Sequence, residues 1–168
     1  PEPLFTDAIA DLRKATGLNP VDGEAWMLEG LTALEWGVAR SSVRRDGRPQ
    51  FEAAIAAFGK RLELAPNDVR ARLRRGEAAY RGGRFAEAVA DFEAGIRLEA
   101  AARDRVLGML EDARWRASLA RADHAVHTGD YAAAGREYEN VLAEHARWAA
   151  LLTPPDQARV RADPAMRA

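Results

Sequence analysis

His124 and His127 stand three residues apart in ADHAVHTGD, a spacing that sets two imidazoles on one helix face. Such a pair is half of a metal site, but nothing at a usable spacing supplies the other ligands. There is no cysteine, which excludes thiolate catalysis, disulfides and cysteine-held zinc. Glu111-Asp112 could do acid–base work only in a sheltered cleft, and its pattern reads as solvated helix surface. Glycines occur as turn dipeptides, without the spacing of a phosphate cradle. Ser41-Ser42 lies among Arg40, Arg44 and Arg45, which reads as exposed serines or a basophilic phosphorylation pattern. With Arg48 these arginines form a candidate patch for an acidic partner or anionic headgroups, without an apolar face for membrane insertion. No catalytic, metal or cofactor constellation emerges. What remains is binding, with arginine as the chemical handle.

Composition supports that reading. Lys+Arg 25 against Asp+Glu 26 in 168 residues gives a net charge of -1, which argues against a nucleic-acid binder. Lys14 and Lys60 are the only lysines; with the abundant alanine, this suggests a GC-rich bacterial genome. No apolar run is long enough to span a bilayer, and a cytoplasmic setting is favoured.

The elements that position these side chains show best in GEAAYRGGRFAEAVADF, residues 76–92. Gly82-Gly83 interrupts helical spacing on both sides: Leu73, Gly76, Ala79 and Tyr80 before it, Phe85, Ala88, Val89, Phe92 and Ile96 after it. Two helices joined so tightly must lie antiparallel, with Gly76 and Ala88 at the crossing and Tyr80, Phe85 and Phe92 filling around them. The pattern repeats. Phe51, Ala54, Phe58 and Leu64 recur 34 residues on as Phe85, Ala88, Phe92 and Leu98, then 46 further on as Tyr131, Ala134, Tyr138 and Glu144. Phe5, Ala8, Leu12 and Leu18 stand 46 earlier, and Gly30, Gly76 and Ala122 mark the first helices. The longer interval is a 34-residue unit carrying 12 extra residues. The helix from Gly23 is therefore expected to run past Arg40 and to turn at Asp46-Gly47, with Pro49 in the first turn of the next helix. One long helix is expected over 102–128. Trp26 is expected in the repeat core, Trp36 before a turn or along an elongated helix, and Trp115 and Trp148 as filling beside an insertion or as contact surface.

These residues resemble the tetratricopeptide repeat family, through Trp26, Gly30, Ala54, Phe58 and Pro66, then Gly76, Ala79, Ala88 and Phe92, then Ala122, Ala125, Gly129, Tyr131, Ala134 and Tyr138. Arg75 and Arg121 depart from it, standing where the family usually has leucine. The resemblance implies an all-α, right-handed superhelical α-solenoid in one domain over 1–168. Its parts would be a half repeat 3–20, a repeat 23–68 with an insertion 38–49, a repeat 69–102, a spacer helix 103–114, a repeat 115–148 and a C-terminal cap 153–168. The half repeat carries the expectation of a piece cut from a longer protein, with a capping helix as the alternative.

The resemblance further implies a non-enzymatic scaffold, free of cofactors, that binds a peptide or protein segment along the concave face of its first helices. Side chains expected there are Met27, Leu31, Leu34 and Glu35, then Arg70, Leu73, Arg74, Glu77 and Arg81, then Leu119, Asp123 and His127. Arg70, Arg74 and Arg81 suit an acidic peptide, and a solvated charged face laced by Glu77 is the competing reading. The family's lysine–asparagine clamp for chaperone tails has no counterpart, since both lysines fall on second helices. Two alternatives stand beside this one: an accessory domain of a larger bacterial signalling enzyme such as a kinase, and a self-association module giving a homo-oligomer.

Overall fold

The computed structural model describes residues 2–151, where every regular element is helical. The order is α1 (Glu2–Leu18), α2 (Gly23–Ser42), α3 (Arg48–Leu64), α4 (Val69–Arg81), α5 (Phe85–Leu98), a 3-10 turn (Ala100–Ala102), α6 (Arg103–His127) and α7 (Tyr131–Leu151). The expected cap over 153–168 and the side chain of Trp148 lie outside the described residues.

Local chemistry sets the boundaries. Asp22 caps α2 by accepting the Glu24 and Ala25 amides, both at 3.0 Å. Asp68 caps α4 through the Ala71 amide at 2.9 Å, and Asp130 serves α7 through Ala133 at 2.9 Å. Pro49 sits in the first turn of α3, where a missing N–H does no harm. Gly83 and Gly129, at φ +81° and +78°, take the left-handed step that reverses the chain between α4 and α5 and between α6 and α7. The expected extension of α2 past Arg40 and the long helix α6 are both present.

The chain forms two units, Pro1–Val106 and Leu107–Ala168. In the first, α2 packs on α3 and α4 on α5, with α1 laid on α2 and α3 on α4. The pairs are antiparallel. Gly30 faces the Phe58 ring while Gly37, two turns later in α2, faces Phe51, two turns earlier in α3. Gly76 faces Phe92 in the same way. Each glycine admits an aromatic ring where a side chain would collide: a Cβ at Gly30 would fall 2.6 Å from the Phe58 ring, and one at Gly76 2.8 Å from Phe92. Phe58, Phe92 and Leu34 are the largest fully buried side chains. Ile9, Met27, Phe51, Phe58 and Leu62 belong to one cluster, against which Leu31, Trp36 and Val38 pack.

The two departures from the repeat pattern have a common explanation. Arg75 forks onto buried Asp91, Nε at 2.8 Å and Nη2 at 2.7 Å. That hydrogen bond, against the cost of burial, raises the Arg75 pKa above its ordinary value. Arg121 pairs with Glu137 at 3.0 Å, one helix-turn-helix later, and this bond holds the Glu137 carboxyl below the usual range. An arginine in place of leucine thus brings its own carboxylate from the second helix. At the same repeat position in α2, Glu29 is buried and turns to α1 instead, meeting Arg13 Nε at 3.4 Å and the Thr16 hydroxyl at 3.2 Å.

In the second unit α6 and α7 run antiparallel, since Trp115 meets His145 edge-on at 5.4 Å while Arg121 meets Glu137. Here the sequence reading of Glu111-Asp112 as solvated surface is corrected, because both are buried. Their charges are answered on the same helix: Glu111 accepts from Arg114 at 2.6 Å, and Asp112 from the Trp115 indole at 2.9 Å and Arg116 at 2.8 Å. Trp26 is corrected too. It is half-buried rather than core, because its indole N–H reaches out to the Pro20 carbonyl at 2.8 Å. Equivalent aromatics lose burial along the chain: Phe51 is buried, Phe85 half-buried and Tyr131 exposed. Phe51 packs on Gly37 of its own pair and lies against the Gly82 turn of the next, whereas Tyr131 has no following pair among the described residues.

Asp68 supports both its own cap and the α3–α4 joint, where Arg61 Nε lies 2.7 Å from its Oδ2. Burial pushes its pKa up, but the Ala71 amide and the Arg61 bond and charge outweigh it, so the pKa is lowered. A lowered carboxylate pKa adds stability above the ordinary value of about 4, lost as pH falls through the folded-state value. Asp68→Ala should therefore cost about 1–2 kcal/mol at pH 7. In urea titrations across pH, the wild-type and variant stabilities should converge below about pH 4.

Candidate peptide-binding face

α4 divides cleanly. Ala71, Leu73, Gly76, Ala78 and Ala79 are buried, and Arg70, Arg74 and Arg81 are exposed on the other side. Glu77 lies between the last two. Its Oε2 accepts Arg74 Nη1 at 2.7 Å, and its Oε1 accepts Arg81 Nε at 3.0 Å. One carboxylate therefore orients two guanidiniums, and Arg70 makes no ion pair among the described residues. Three arginines against one carboxylate leave the face cationic. The Glu77 side chain is only 14% exposed, while the two arginines it orients are open to solvent.

The other residues expected along the groove are placed differently. Met27, Leu34 and Leu73 are buried and Leu31 is packed against the core, so these four hold the helices together instead of offering a surface. The reason is coverage: α2 touches α1, α3 and α4, and Leu73 fills the space over Gly95. The accessible stripe of α2 is Glu24, Leu28 and Glu35, with Thr32 half-exposed between them. Leu28, 51% exposed, escaped the sequence reading, although its place one turn after Glu24 and two before Glu35 puts it on a polar stripe. In the second unit Leu119 is half-buried, and Asp123 is exposed with the Tyr138 hydroxyl 3.5 Å away. His124 and His127 are exposed, and among the described residues no group of three or more potential ligands comes together. Ser41 and Ser42 are exposed at the end of α2, the Ser42 hydroxyl donating to the Ala39 carbonyl at 2.8 Å.

Antiparallel helix pairs packed side by side, with the first helix of a pair presenting charge outward, define a helical-repeat fold of the α-solenoid class. The tetratricopeptide repeat model matches residues 44–98, which take in α3, α4 and α5. That repeat suggests a protein-interaction scaffold. No curated protein matches the chain. Among the described residues no helix is long and apolar enough to cross a membrane.

Proposed function

We propose that the chain is a non-enzymatic scaffold that holds an acidic peptide or protein segment against the exposed face of α4. The observation that carries this reading is the exposed stripe of Arg70, Arg74 and Arg81 on α4, with one carboxylate, Glu77, between the last two. The Arg74 and Arg81 guanidiniums are held in place by Glu77 before a ligand arrives, which reduces the ordering cost of binding. Arginine forks donate bidentately to carboxylates, so the ligand is a chain bearing Asp or Glu at intervals that match successive helix turns.

Calorimetric titration with an octaglutamate peptide tests the proposal. The double variant Arg74→Glu and Arg81→Glu should weaken binding by tenfold or more. Raising the salt from about 0.05 to 0.5 M should weaken the wild type in the same direction, because exposed charges are screened. Equal affinity for wild type and variant would remove this face from consideration.

A further inference from the structure

The first turn of α1 and the last turn of α2 enclose a cleft of about 550 Å³. That volume suits a small ligand or a few side chains of a peptide. One wall is apolar: Phe5 and Trp36 stack in parallel, centroids 6.2 Å apart and planes within 4°, and Val43 beside them is 64% exposed. The other wall is cationic. Arg40 Nη1 lies 2.7 Å from Glu2 Oε1, and Arg45 Nη1 lies 2.8 Å from Glu2 Oε2.

The two guanidiniums are set by the backbone as well as by Glu2. Arg40 is anchored through its Nε to the Asp46 carbonyl at 2.8 Å. Arg44 takes a left-handed φ of +58°, and the Arg45 amide returns to the Arg40 carbonyl at 2.9 Å, bringing Arg45 back over the end of α2. A non-glycine residue in that region is a strained choice, and here it places a charge at the mouth of a cleft.

We propose that this cleft binds an acidic peptide segment, in which a carboxylate takes the place of Glu2 between Arg40 and Arg45 and a neighbouring apolar side chain lies against Trp36 and Val43. Glu2 is the chain's own stand-in for that ligand. Each arginine holds a different carboxylate oxygen, the planar division that Asp and Glu offer. The Arg45 hydrogen bond, with the charges of Arg45 and Arg40, keeps the Glu2 carboxyl below its usual range despite some desolvation, so the position favours an anion. A peptide fits better than a lipid surface, because the cleft volume is that of a few side chains. Trp36 adds a reason: its indole N–H is buried without a hydrogen-bond partner among the described residues, and a peptide carbonyl would supply one if the ring turned toward it. This site is separate from the α4 face and does not depend on it.

The test uses the full chain, uniformly 15N-labelled, titrated to millimolar concentration with acetyl-Gly-Glu-Phe-Gly-amide and with its Gln counterpart. The Glu peptide should shift the Trp36 indole and the Ala39 and Val43 amide resonances, and the Gln peptide should bind at least fivefold more weakly. Glu2→Gln should tighten binding about threefold or more, since it removes the internal competitor. Arg40→Gln with Arg45→Gln should abolish it, while leaving the helical circular dichroism in place. Equal binding of the two peptides, weaker binding by Glu2→Gln, or shifts confined to other helices would overturn the proposal. So would sedimentation with phosphatidylserine vesicles in the absence of any peptide-induced shift.

Discussion

Phe58→Ala should lower stability by about 3–5 kcal/mol, the range for a fully buried aromatic, and move the thermal midpoint by on the order of 10 °C. Phe58 is completely buried and its ring lies over Gly30. Because Gly30 has no side chain to relax into the vacated space, the cavity persists and the upper part of the range applies. Gly30→Leu alone should also destabilise, by about 1–3 kcal/mol or more, since any Cβ there falls 2.6 Å from the ring. The two changes together exchange the large and small partners across one crossing. Their combined cost should be smaller than the sum by more than about 1 kcal/mol, the coupling expected of residues in direct contact. Urea denaturation of the four proteins measures this. Strict additivity would mean that the two residues do not share the crossing.

Arg75→Leu is the second large effect, with an expected loss of about 3 kcal/mol, at the low end of the range for breaking a buried pair. The variant restores the residue type usual at this repeat position, yet it strands Asp91, whose side chain is only 7% exposed. Arg72, 3.8 Å from the same carboxylate, offsets part of the loss, which places it at the low end. Adding Asp91→Leu, isosteric with aspartate, should recover stability to within about 1 kcal/mol of wild type, because an apolar pair of similar shape avoids the desolvation that the ion pair must overcome. A double variant as unstable as Arg75→Leu would show that the stranded charge is not the cause. The Arg121–Glu137 pair is more exposed, at 53% and 24%, so Arg121→Leu should cost less.

Much of the helical framework was legible because its rules are local. Gly30, Gly76, Phe58 and Phe92 recur at repeat spacing since a close crossing demands a small residue facing a ring, and Asp22, Asp68, Gly83 and Gly129 mark ends whose chemistry spans only a few residues. The candidate face was legible on α4, where one exposed stripe carries Arg70, Arg74 and Arg81. It was not legible on α2. Met27 and Leu34 have the periodicity of a helix face, but periodicity does not say how many neighbours cover that face, and α2 has three. Glu111-Asp112 misled for the related reason that charge in a sequence does not report burial when the counter-charges stand three and four residues on.

By itself, then, the sequence determined the helix pairs, their turns, their repeat pattern and the excess of arginine on one helix. These depend on sterics and capping between residues close in the chain. Tertiary structure alone decided which distant carboxylate an arginine meets: Asp91 for Arg75, and Glu2 for Arg40 and Arg45 across 38 and 43 residues. Coulombic and hydrogen-bonding partners are chosen by distance in space, and that distance exists only after the apolar crossings have drawn the helices together.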